Sequence, residues 1–396
     1  MDKQKIVLLP GDGIGKIVIE QAVRVLDAAG FAAEYTTGDI GWEFWCKEGN
    51  PLPDRTIQLI REHKIALFGA ITSKPKDEAV AELNPELHDK GFVYSSPIVG
   101  LRQKFNLDIC IRPCRSYRGN PLNFVRRRPD GSVYEPYINV VIFRQNTECL
   151  YSGVEWTDPP DQLYQALCTH PKFIENFGNV PKNEISLSVR IFTRRATERI
   201  VRAAFEYARK YNYPSVTVCE KSNVIRETFG LMLRIAKQIQ KNEYPEIALW
   251  DTNIDAQMMW LTKKPEDYGV IVAGNMFGDI VSDGFAGLIG GLGFASSANL
   301  GTEVAVFEPT HGSAPKYANY QPPIVNPIAM IEAACLMLDH LDKRDLSFRI
   351  RNAIGKVIAD GKVRTYDMLM MKGSPSVIAQ GAASTIQMTD AIINNL

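Results

Sequence analysis

A repeated unit constrains the fold more than any other feature of this chain: a short, largely β-branched apolar run, a turn, then a stretch long enough for a helix. Ile6 to Leu9 closes on Pro10 and Gly11, and a proline-free segment carrying Ile17, Val18, Val23, Val25 and Leu26 follows. Further runs stand at Ile65 to Phe68 before Gly69, Val189 to Phe192, Val216 to Cys219, and Val270 to Ala273 before Gly274. The Val189 run precedes a helical candidate from Arg195 to Lys210. Short strands alternating with helices of this length predict an α/β protein, with a largely parallel sheet covered by helices on both faces.

The 396 residues amount to roughly two to three ordinary domain lengths. Boundaries are expected after Leu101 and near Gly290, giving one subdomain of residues 1–106 plus 290–396 and another of 107–289. The turn-rich stretches Ser116 to Pro136 and Gly153 to Pro181 read as loops or a small protruding substructure, not as linkers. Lys plus Arg and Asp plus Glu number 45 each, so no global basic field exists to hold a nucleic acid. The triplet Arg126-Arg127-Arg128 therefore reads as a solvated face. Seven scattered cysteines suit free thiols in a reducing compartment, and Cys110 with Cys114 alone makes a poor zinc site. The apolar run near the N-terminus is too short for a signal peptide or a membrane span, so a cytoplasmic protein is expected.

Gly11-Asp12-Gly13-Ile14-Gly15 lies between the first strand and the first helix, where a dinucleotide fingerprint would lie. That fingerprint needs its third glycine one place later, and Lys16 is there, so a standard Rossmann site is rejected. The glycines by themselves account for no more than a tight turn that lets helix and sheet approach.

Company for that motif comes from Gly274-Asn-Met-Phe-Gly-Asp-Ile-Val-Ser-Asp283, Gly290-Gly-Leu-Gly-Phe and Glu308-Pro-Thr-His-Gly-Ser-Ala-Pro-Lys-Tyr317. With Leu101-Arg102, Ile111-Arg112-Pro113 and Asn146-Thr-Glu148, in order along the chain, this closely resembles the isocitrate/isopropylmalate dehydrogenase family of β-decarboxylating dehydrogenases. The resemblance implies two α/β subdomains around a central cleft and a non-Rossmann nucleotide site. It also implies a homodimer with shared active sites, NADP or NAD, and Mg²⁺ or Mn²⁺. Residues 1–106 plus 290–396 would then bind nucleotide, and 107–289 would carry dimerisation, metal and substrate residues.

Asp279 and Asp283 stand four apart, on one face if the segment is helical. The resemblance assigns them, with Asp255, to a divalent cation, one ligand coming from the partner subunit; carboxylate oxygens suit such hard ions. Arg102, Arg112 and Arg144 match substrate-clamping arginines, and guanidinium offers the bidentate donors that carboxylates need. Tyr151 and Lys221 match an acid–base pair: Lys221, reached across the dimer, would deprotonate the C2 hydroxyl and Tyr151 would protonate the enolate carbon. Nucleotide contacts are implied at Ile14, Asn146, Glu148 and Asn223, then at Glu308, His311, Gly312, Ser313 and Ala314, and at Asn326. His311 has no second histidine near it in sequence and is not expected to bind metal.

Substrate choice in the family depends on residues just before Arg102. Ser96 stands where isocitrate enzymes often keep a serine, but Ile98 replaces their asparagine and, with Val99, partly resembles the apolar contact of isopropylmalate enzymes. Ser95 stands where those enzymes carry a glutamate. The reading is oxidative decarboxylation of isocitrate to 2-oxoglutarate and CO₂, with 3-isopropylmalate, homoisocitrate or another 3-substituted malate as alternatives. Lys316, Tyr317 and Tyr366 match residues that hold the 2′-phosphate of NADP, whereas Met370 replaces a further phosphate-binding arginine and leaves NAD open. Cys149, Gly269 and Gln145 also depart from the family pattern. Because Lys221, Tyr151 and the three aspartates are all kept, an enzyme is expected over a non-catalytic regulatory subunit.

Overall fold

The computed structural model describes residues 3–396, and one mixed sheet of ten strands runs through it. In chain order the strands are β1 (Gln4–Gly11), β2 (Ala33–Thr37), β3 (Ile65–Ala70), β4 (Ile109–Arg115), β5 (Asn139–Gln145), β6 (Ser215–Glu220), β7 (Ala248–Asn253), β8 (Val270–Ala273), β9 (Ser296–Leu300) and β10 (Ala305–Pro309). Across the sheet the order is β7-β6-β8-β5-β4-β9-β10-β3-β1-β2.

Both flanks are parallel, as the alternation of strands and helices predicts. The centre is not: β4 runs antiparallel to β5 and to β9, and β9 runs antiparallel to β10. Antiparallel neighbours need no crossover helix, and here β4 and β5 are joined by a small ribbon excursion and β9 and β10 by a short turn. That excursion, Ser116 to Pro136, contains the two-stranded ribbon Arg126–Arg127 with Val133–Tyr134. Arg126 is not simply solvated: it pairs with Glu266 at 2.7 Å.

The run Val189 to Phe192 does not enter the sheet. Its backbone bonds go to a protruding arm, Val189 N to Val154 O and Cys149 N to Ile191 O, both 2.8 Å. Ser186–Ser188 just ahead pairs with Glu155–Thr157, so the apolar run prolongs that ribbon and stops at Thr193. The Thr193 side chain accepts from Ala196 N and caps the helix Arg194–Lys210.

Three apolar clusters hold the layers together. The largest packs the helices Gly15–Ala28, Ile328–His340 and Arg344–Asp360 on the sheet; Ile328–His340 is apolar nearly all round, as a helix covered on every side must be. A second lies between β5, β6, β8 and the helices Arg194–Lys210 and Thr228–Glu243, and a third beneath Asp54–His63 and Pro97–Lys104. Residues 107–289 supply β4 to β8, and the remaining strands come from either side of that segment. Among the described residues, the two sets of strands pair only through Ile109↔Leu300, Cys110↔Asn299 and Ile111↔Ala298. All seven cysteines are free, and no helix among the described residues is long and apolar enough to cross a membrane.

The turn after β1 depends on Gly11, which has φ +65° and would place an added Cβ 2.0 Å from Ala70 O on the neighbouring strand. Gly11→Ala should therefore lower stability by about 2 kcal/mol or more. Chemical denaturation followed by circular dichroism would check this, and an unchanged midpoint would contradict the close approach.

Candidate active site

At the sheet centre, β4 and β5 carry Arg112 and Arg144, and the helix Asn275–Leu288 lies across them. The helix can come this close because residue 278 is glycine, where a Cβ would lie 2.8 Å from the Arg144 side chain. Asp279 and Asp283 project from it toward the arginines. Arg112 Nη1 donates to Asp279 Oδ1 (2.9 Å), Ser282 Oγ (2.8 Å) and Asp283 Oδ1 (3.2 Å). Arg144 Nη1 donates to the same Asp279 oxygen at 2.5 Å and its Nε to Asn275 Oδ1 at 2.9 Å. Tyr151 OH donates to Asp279 Oδ2 at 2.9 Å, and its ring centre lies 5.3 Å from the Arg144 guanidinium.

Arg102 reaches this neighbourhood from the helix Pro97–Lys104 through a buried polar chain. Its Nη2 donates to Glu308 Oε1 (3.1 Å), which also accepts from Asn299 Nδ2 (2.8 Å), while Asn299 Oδ1 accepts from Asn146 Nδ2 (2.8 Å). Two residues expected at the nucleotide, Asn146 and Glu308, are thus tied to one expected at the substrate. Asn299, the link, was not anticipated; a lone amide between Ala298 and Leu300 in a buried strand is the signal that would have found it. The Nε donors of Arg102 and Arg112 are buried without a partner, so each guanidinium keeps hydrogen-bonding capacity for an anion.

Each charge feels its surroundings. Burial raises the Asp279 carboxyl, but Arg144, Arg112 and the Tyr151 hydroxyl outweigh it and hold it below the usual range. Asp283, half-exposed and less well paired, is pushed up by burial against the pull of Arg112. Burial pushes Arg144 down to about 10, with Arg112 adding to the effect, which still leaves it cationic near neutrality. Tyr151 is raised by burial and by the Asp279 charge, so it keeps its proton.

Before Arg102, the three specificity candidates separate. Ser96 precedes the helix Pro97–Lys104 and its hydroxyl makes no capping bond. Ile98 packs against the apolar cluster beneath that helix, whereas Val99 lines a small cleft with Arg102, Gln103, Asn146, Thr147 and Tyr151.

The remaining candidates fall into two groups. Ile14 N donates to Ser313 O (2.9 Å), bringing the first glycine turn against the loop from His311 to Ala314. His311 Nδ1 bonds Gly312 O, its Nε2 is enclosed without a partner, and burial lowers its pKa. Gly312 has nothing near the position of a Cβ. Lys316 Nζ sits 4.6 Å over the Tyr317 ring, whose centre is 5.6 Å from that of Tyr366. Asn326 Nδ2 donates to Asp367 at 3.0 Å, and Met370 is 79% exposed. Glu148 faces elsewhere: its carboxylate accepts from Thr193 N (2.9 Å) and Oγ1 (2.5 Å) at the start of a helix.

Lys221 and Asp255 form the second group, with no hydrogen bond or ion pair to the three arginines among the described residues, and Asn223 lies in the turn just after Lys221. Lys221 Nζ lies 2.5 Å from Asp255 Oδ1, and that hydrogen bond lowers the carboxyl. Among the described residues no three His, Cys, Asp or Glu side chains converge as a metal site, so Asp255 does not join Asp279 and Asp283 within one chain. The oxygen donors of Asp279 and Asp283 fit a hard divalent cation as an incomplete set needing further ligands.

An α/β protein with clustered arginines facing helix carboxylates at the centre of a mixed sheet is a class equipped to hold small polycarboxylates. The chain belongs to the isocitrate/isopropylmalate dehydrogenase family, whose model matches residues 5–392. It is 37% identical over 396 residues to Protein DlpA of Legionella pneumophila, covering all of this chain but 59% of that protein, so it spans about three-fifths of that relative. It is also 37% identical over 365 residues to a 3-isopropylmalate dehydrogenase of Archaeoglobus fulgidus, covering 92% of this chain and 94% of that one. A crystal structure of isocitrate dehydrogenase from Methylococcus capsulatus matches with a TM-score of 0.80 at 36% identity, over 99% of both chains.

Glu220, also unanticipated, joins the two groups. It precedes Lys221, is 2% exposed, and its Oε1 accepts from Gly274 N at the start of the helix bearing Asp279, while Oε2 has no partner. Burial raises its carboxyl to about 8, against the pull of the Gly274 amide and Arg190. From its ordinary value of 4.5 up to about 8, the folded chain keeps a proton that the unfolded chain has released, so stability falls as pH rises through that window. Glu220→Gln should flatten this dependence, by up to about 1.4 kcal/mol per pH unit. Parallel denaturation curves for wild type and variant across the window would place Glu220 elsewhere.

Proposed function

We propose that the chain catalyses the NAD(P)- and divalent-cation-dependent oxidative decarboxylation of isocitrate to 2-oxoglutarate and CO₂. The observation that carries this reading is the convergence of Arg112 and Arg144 on one carboxylate, with Arg102 joined to Glu308 beside them and two buried Nε donors uncommitted. Three guanidinium groups suit a substrate with several carboxylates. Ile98 is drawn into the apolar cluster, so Val99 is the aliphatic side chain of the pair that lines the cleft, and the uncapped Ser96 hydroxyl remains for a polar contact. This favours a carboxylate-bearing substituent over an isopropyl group.

The arginines bind and orient the substrate. Lys221 of a second copy would accept the C2 hydroxyl proton on its amine lone pair, and NAD(P)⁺, when bound, would supply the acceptor for the C2 hydride. The bond from C3 to its carboxyl group then breaks, CO₂ leaves, and the electron pair stays as an enolate. Tyr151, which the Asp279 charge keeps protonated, donates to C3. When bound to Asp279 and Asp283 with Asp255 of a second copy, a divalent cation supplies polarisation of the C2 oxygen.

Lys221 and Asp255 pair with each other in one chain, apart from its arginine cluster, which supports their serving a second copy. Trp250, Met259, Trp260 and Ile280, all at least 41% exposed on β7 and the helices Ile254–Lys263 and Asn275–Leu288, give that copy an apolar face to cover. For the nucleotide, Lys316 with Tyr317 and Tyr366 supports NADP over NAD, since a lysine there pairs with a phosphate dianion.

Absorbance at 340 nm, with Mn²⁺ and either NADP⁺ or NAD⁺, would compare kcat/KM for isocitrate, 3-isopropylmalate and homoisocitrate. Isocitrate with NADP⁺ should lead; leadership of 3-isopropylmalate would overturn the reading of Ser96 and Val99. Activity only after adding a second kind of chain would point to a regulatory subunit. Tyr151→Phe should lower kcat roughly 10²-fold or more while changing KM little, and an unchanged kcat would remove Tyr151 from proton transfer.

A further inference from the structure

Successive side chains of a strand point to opposite faces of its sheet. On β4, Arg112 faces the candidate active site, while Ile109, Ile111, Pro113 and Arg115 line the reverse face. A groove lies there, made of a wider compartment of about 650 Å³ and a narrower one of about 340 Å³ that share Tyr207, Tyr211, Leu336 and Asp339. One wall is the helix Arg194–Lys210, and the other is formed by the helices Ile328–His340 and Arg344–Asp360.

The two compartments differ in chemistry. In the wider one both carboxylates are already engaged: Arg351 donates to Glu332 (3.0 Å) and Asp339 (2.7 Å), with Tyr117 and Ser347 completing the cluster. Arg115, Arg118 and Lys356 also line it and have no carboxylate partner among the described residues. Tyr137 and Phe348 present rings that are 63% and 66% exposed. The narrower compartment is mostly apolar, with Ile109, Ile111, Ala298 and Leu300 along its floor, Phe143 and Phe307 beside them, and Glu206 and Lys210 of opposite charge on the helix wall. Unpaired cations and exposed rings at one end, continuous with an apolar floor, suit a flat organic anion.

We propose that this reverse-face groove is an effector site for an aromatic organic anion. Its walls belong to the two sets of strands that pair only across β4 and β9, so a bound ligand braces one against the other and shifts Arg112 relative to Glu308 and Arg102. This coupling rests on the reading of Arg112 as a substrate ligand; the binding does not.

The test uses anilinonaphthalene sulfonate, a fluorescent aromatic anion, titrated into the intact protein with saturating NADP⁺. A saturable signal is expected that NADP⁺, isocitrate and inorganic phosphate leave in place. Arg118→Glu combined with Lys356→Glu should weaken it roughly tenfold or more. Gly355→Phe, from a helix position where an added Cβ meets Tyr117 at 3.6 Å, should block it while leaving basal kcat unchanged. Equal affinity in both variants, or displacement by NADP⁺, overturns the site. At saturating probe the KM for isocitrate should change in the wild type and not in the charge-reversed variant; an unchanged wild-type KM overturns the coupling. A protein that binds the probe as expected but turns over no malate derivative would tell against the functional reading and leave the groove standing.

Discussion

Arg102, Arg112 and Arg144 hold their charges at positions no more than 8% exposed, and burying an ion costs several kcal/mol unless partners compensate. The compensation comes from Asp279, Asp283 and Glu308, which reach the arginines from a helix and from β10. Those carboxylates can arrive only if Gly278 lets the helix settle on β5 and if β9 and β10 fold back beside β4. The antiparallel centre of an otherwise parallel sheet is thus the geometry that places buried cations and their counter-charges within 3.2 Å of one another.

The same arrangement explains why the site is held yet responsive. Asp279 neutralises two guanidinium groups and receives the Tyr151 hydroxyl, so in the proposed function an entering polycarboxylate would compete with it for the arginines. In the proposed reaction that competition frees Asp279 for a cation and Tyr151 for proton transfer. Asn299 and Glu220 act one step further out. The first fixes Glu308 between strand and arginine; the second fixes the helix that carries Asp279 to the end of the strand that Lys221 follows. The reverse-face groove extends the same logic, because β4 shows Arg112 to one side and an apolar, cationic trough to the other.

Much of the fold is legible in the order of the residues alone. The runs at Ile6, Ile65, Val216 and Val270 all form largely buried strands, since a short run of β-branched and apolar residues closed by a turn is too short for a buried helix. The helix expected from Arg195 starts one residue earlier, at a threonine cap. Val189 to Phe192 misleads because a β-branched run favours a strand without saying which ladder receives it; here the ladder belongs to a ribbon, none of the four residues is buried, and Ile191 is 38% exposed. Ile98 and Val99 are adjacent and alike in sequence, and only the helix turn sets one, partly buried, against the core and the other into the cleft.

The sequence by itself determined the class of fold and the family, and it nominated the residues proposed to do the chemistry, because apolar periodicity and ordered motifs are local properties of the chain. The tertiary structure alone decided the antiparallel centre, the joining of Arg102 to Asn146 through Asn299, the burial of Glu220 and the separation of Lys221 and Asp255 from the arginine cluster. These depend on contacts between residues distant in the chain, and on a local desolvation that no stretch of sequence carries within itself.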